Sequence, residues 1–72
     1  MIYQLINKQT SAPLATLELN SNEQPVYFNP GPYAKELKEV ETCAHNGDPQ
    51  NALEHLQDIG ARLGLHFAVL SY

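Results

Sequence analysis

Hydrophobic positions recur with the two-residue period of a strand near both ends of this chain, and with helical spacing between them. Residues 2–6 (Ile-Tyr-Gln-Leu-Ile) are apolar on both faces, as expected of an interior strand. Asn7 to Pro13 is a polar connection. Over residues 14–19, Ala15, Leu17 and Leu19 alternate with Thr16 and Glu18, the pattern of a half-buried strand. Asn20 to Gln24 reads as a turn. A short third strand follows, Pro25-Val26-Tyr27-Phe28, which its proline pushes toward a sheet edge. Leu65 to Tyr72 forms a last strand, again apolar on both faces.

Asn29-Pro30-Gly31-Pro32 breaks the third strand and starts a helix. Tyr33, Leu37, Val40 and Ala44 then make one apolar stripe, with Lys35, Glu36, Lys38, Glu39 and Thr42 on the other side. In the second helix Ala52, Leu53, Leu56, Ile59 and Leu63 share a stripe, and Asp58 pairs with Arg62 at i, i+4. Between the helices stands the most informative stretch of the chain, Asn46-Gly47-Asp48-Pro49. Gly47 can take the left-handed conformation that ends a helix, Asp48 can cap the next one, and Pro49 suits its first position. Gly60 lies within or beside the second stripe and predicts close approach to another backbone, while Gly64 closes the helix.

The order ββ(β)ααβ predicts one two-layer α+β domain. Its sheet has three to four antiparallel strands, covered on one face by a helical hairpin. The two strands that are apolar on both faces favour central places, in a 3-2-1-4 order or a close variant. Leu17, Leu37, Val40, Leu53, Leu56, Ile59 and Phe67 are the expected core. Two helices cover one sheet face but not both. The face turned away, drawn from Tyr3, Leu5, Ala68, Leu70 and Tyr72, should then be a contiguous apolar surface. Apolar patches of that kind call for a partner, so Tyr3, Leu5, Leu70 and Tyr72 are the candidate partner-binding residues, toward a protein partner or a second copy.

Eight acids stand against four bases over 72 residues, for a net charge of −4. Lys8, Lys35, Lys38 and Arg62 are scattered along the sequence, so direct nucleic-acid binding through phosphate neutralisation is not expected. Cys43 is the single cysteine, which rules out an internal disulfide and fits a reducing compartment. The opening residues carry no basic stretch, and no apolar run approaches the ~18 residues of a membrane span. A soluble, cytoplasmic protein without membrane contact is expected.

Catalytic chemistry has little to work with. Cys43 and His45 are two apart on a helix and point to different sides, so they do not chelate one ion together. Reactive thiols favour helix N-termini, whereas Cys43 falls near a C-terminal end. His55, with Glu54 and Asp58 nearby, and His66 belong to no ordered motif. The corner at residues 29–32 has too few free N–H groups to cradle phosphate. No catalytic, metal or cofactor-binding residue is therefore assigned, and no cofactor is expected. The reading is a non-enzymatic intracellular interaction or regulatory module acting through an open sheet face or strand edge. By analogy, small acidic proteins of this kind are common among bacterial and phage-encoded modulators of host proteins. One alternative is an acidic nucleic-acid mimic that blocks a basic groove, drawing on Glu36, Glu39, Glu41 and Glu54. The other is a small ligand-binding or enzyme subunit whose pocket forms at a dimer interface from His66, Tyr72 or Tyr3.

Overall fold

A computed structural model describes residues 1–70. Four strands, β1 (Ile2–Ile6), β2 (Pro13–Leu19), β3 (Pro25–Asn29) and β4 (His66–Leu70), form one antiparallel sheet in the order β3-β2-β1-β4. Two helices, α1 (Lys38–His45) and α2 (Pro49–Arg62), pack on one face of it. The fold is the expected α+β two-layer arrangement. β1 is internal, as its two apolar faces require. β4 is not: it closes one edge of the sheet and pairs with β1 alone among the described residues. Ser71 and Tyr72, expected within the last strand, lie outside the described residues.

Asparagines organise the connections. The side-chain oxygen of Asn7 accepts the backbone N–H groups of Gln9 and Thr10, that of Asn20 those of Asn22 and Gln24, and that of Asn29 the N–H of Gly31. Each oxygen replaces a ladder partner at the point where a strand ends. The corner after β3 differs from the expected helix start. A single 3₁₀ turn, Gly31–Tyr33, comes first, and α1 begins only at Lys38. Pro30 and Pro32 remove two donors there, and Leu37, at the N-cap position, has no side-chain oxygen to hold the first turn.

The hairpin between α1 and α2 is built as its punctuation predicts. Gly47 has φ +74°, its N–H donates to the carbonyl of Ala44, and the N–H of Asp48 donates to that of Cys43. Together these bonds make a Schellman motif. The Asp48 carboxylate accepts the N–H of Asn51 at 3.4 Å and its side-chain amide at 2.5 Å, and Pro49 is the first helical residue. α2 ends in the same motif: Gly64 (φ +73°) donates to Ala61 and Leu65 to Gly60. Asp48→Ala should lower stability by ~0.5–2 kcal/mol, read from urea midpoints at unchanged slope, through loss of the cap.

Leu5, Leu17, Leu37, Val40 and Leu56 are fully buried, joined by Ala15, Leu19, Ala52 and Leu65. Leu53, Ile59 and Phe67, also expected in the core, are half-buried against its rim. Ala52, Leu56 and Gly60 form the buried line of α2 at i, i+4 and i+8. The close approach expected at Gly60 exists, but to a side chain. A Cβ there would overlap Cδ2 of Leu5, so α2 rides on the Leu5 side chain.

Candidate interaction surface

Register decides which side chains share a face. Leu5 lies in the core against α2, so its cross-strand partner Phe67 and its β1 neighbour Tyr3 point to the helices as well. The rings of Tyr3 and Phe67 stack there, with centroids 6.0 Å apart at 23°. Two of the expected partner-binding residues are thereby corrected. Leu5 is wholly buried and Tyr3 is half-buried on the covered face, because the helical layer packs on the Tyr3–Leu5 side of β1 and leaves Ile2 and Ile6 open. Leu70 lies on the open face, opposite Ile2, and is exposed. Tyr72 lies outside the described residues.

The open face has three rows. At one end Tyr27, Glu18, Ile2 and Leu70 run across all four strands. Behind them come Asn29, Thr16, Gln4 and Ala68, where the Gln4 amide donates to the Thr16 hydroxyl at 3.5 Å. Ile6 and His66 form the third row. A polar middle row therefore divides what was expected to be one apolar surface. The large exposed apolar side chains collect instead at the end of the sheet that carries Met1. They are Met1 (40% exposed), Val26 (54%), Tyr27 (52%), Val69 (49%) and Leu70 (43%). Met1 bonds to Leu19 at the same end, extending the β1–β2 ladder by one step. Sequence alternation missed Val26, Tyr27 and Val69, since nothing in it marks one end of a sheet.

Three of the four bases come together in space. Lys35, Lys38 and Arg62 line a single groove of about 560 Å³ between the helices, with Glu36, Glu39, His55, Asp58 and Ile59. Acids balance them there. Arg62 pairs with Asp58 at 3.0 Å and His55 faces Glu39 at 3.6 Å, both at well-exposed positions where a pair adds at most ~1 kcal/mol. The groove thus offers no net field for an anion.

Among the described residues, no three His, Cys, Asp or Glu side chains converge on a point that would hold a metal ion. His45 ends α1, His55 lies in the helical layer, and His66 is on the far side of the sheet. Tyr3 and His66, grouped above as lining for a shared pocket, lie on opposite faces of the sheet. No helix among the described residues is long and apolar enough to cross a membrane. No protein-family model matches the chain, and neither does any curated protein or solved structure. Surface chemistry alone carries the functional reading.

Proposed function

We propose that this protein is a non-enzymatic protein-interaction module whose interface is the Met1 end of the sheet and the strand edges flanking it. One observation supports this reading: all five large exposed apolar side chains of the described residues lie at that end, Val26 and Tyr27 on one edge strand, Val69 and Leu70 on the other and Met1 between them. Such residues scattered singly are ordinary on a protein surface, whereas a gathered set marks a place where water is meant to be displaced. Leu70 keeps its partner-binding role, with Val69 beside it on β4 and with Val26 and Tyr27 at the same end on the opposite edge strand, β3. Cys43, the sole thiol, favours a reducing cytoplasmic setting. Regulation by occupancy, with no chemistry of its own, is the activity such a module performs.

Tyr27 and Leu70 are both exposed, so replacing each by lysine should change stability by no more than ~0.5 kcal/mol. The double variant should keep the wild-type circular dichroism spectrum. Immobilised in extract from the native host, it should lose the proteins that the wild-type chain retains. Retention of the same set by both would remove the proposed interface.

A further inference from the structure

We infer that the occupant of the β4 edge is a second copy of this chain, paired β4 to β4 in antiparallel register about Ala68. This deepens the interaction reading above and rests on it. An unpaired edge strand presents a row of free N–H and C=O groups, and sheets ordinarily guard such edges with proline, lysine, bulges or a covering element. β3, at the other edge, is guarded in this way: it starts at Pro25, and its ladder with β2 is irregular at Glu18/Leu19. β4, His-Phe-Ala-Val-Leu, has no proline, lysine or glycine, and its ladder with β1 is regular throughout.

Charge and symmetry select the partner. The chain carries a net charge of −4, so two copies repel over most of their surface. From Leu63 onward the sequence contains no Asp, Glu, Lys or Arg, which makes this edge a place where two copies meet without like charges in register. Pairing about Ala68 keeps all five residues of β4 in the ladder. Phe67 then faces Val69 of the second copy on the helix side, and His66 faces its Leu70 on the open side. A slip of one residue would set helix-side groups against open-face groups, and a slip of two would leave residues of β4 without a β4 partner, so the register about Ala68 is the one that keeps both the faces and the full strand. Val69 is 49% exposed although it points to the helix side, and this pairing is what covers it. The two four-stranded sheets become one of eight strands, with both helical layers on the same side. One short strand buries far less than the ~800 Å² per partner of a standard interface, so the dimer is reversible.

Sedimentation equilibrium from about 10 μM to about 1 mM should show a concentration-dependent dimer, weakened at least ~10-fold by Val69→Lys. A second arm does not depend on how that variant folds. In a Cys43→Ser background, Ala68→Cys should form an intermolecular disulfide on mild oxidation. The paired Cα atoms would be about 4.5–5.5 Å apart, within disulfide reach. His66→Cys should not cross-link, since residues 66 of the two copies would lie about 13 Å apart, and neither should Tyr27→Cys on the opposite edge. A wild-type monomer at the highest concentration overturns the self-pairing, as does cross-linking at 66 or 27 in place of 68. The broader interaction reading survives either result if the Tyr27 and Leu70 variant still loses captured proteins, and falls with it if the variant does not.

Discussion

Leu56→Ala should leave most of the chain unfolded under conditions where the wild type is native. Leu56 is fully buried on the central line of α2, between Ala52 and Gly60. Truncating a leucine in such a place costs about 2–5 kcal/mol, from lost transfer energy and from the cavity left behind. A core built by a chain of this size rarely supplies more than about 3–5 kcal/mol in all, so the loss is comparable to the whole. Loss of the cooperative thermal transition by circular dichroism is the expected reading. Retention of the wild-type midpoint would mean that α2 does not carry the core. Leu53→Ala should be milder, because Leu53 is half-buried at the rim.

Gly31→Ala should be nearly as damaging, for a different reason. Gly31 has φ +59°, and a Cβ there would overlap the carbonyl oxygen of Leu14. Left-handed strain on a residue with a side chain adds about 1–3 kcal/mol, and the overlap with backbone forces the corner off β2 at a further ~1–3 kcal/mol. The 3₁₀ turn and the start of α1 hang on that corner. Gly47→Ala is the control: its φ is +74°, but nothing lies within 4 Å of the added methyl, so only the conformational part applies. Equal destabilisation of the two variants would show that packing against Leu14 contributes nothing.

These two glycines also show what the sequence made legible. Asn46-Gly47-Asp48-Pro49 could be read because each step is local: a left-handed C′ residue, a side-chain cap and a proline at the first position need no knowledge of the rest of the chain. Gly31 sits in an equally recognisable corner, yet its tight seat on Leu14 is tertiary and left no local signal. The same limit explains the sheet faces. β1 is apolar on both sides, so alternation alone does not say whether Tyr3 and Leu5 or Ile2 and Ile6 meet the helices. The choice is made by the fit of Leu5 against Gly60, two residues 55 positions apart in sequence. Lys35, Lys38 and Arg62 look scattered for the same reason, and only the packing of α1 on α2 brings them to one groove.

The surface reading follows from that corrected face. Once Tyr3 and Leu5 are turned inward, the apolar groups left outside are at the sheet's edges and its Met1 end, where Val69 and Leu70 belong to the unguarded strand β4. Amide hydrogen exchange along β4 tests this most directly, measured at low and at high protein concentration. The amides of β4 that point away from β1 should exchange quickly in dilute solution and become protected as the concentration rises, while those of β3 keep the same rates. Rates along β4 that are independent of concentration, up to the solubility limit, would contradict the assignment of this edge as the interface.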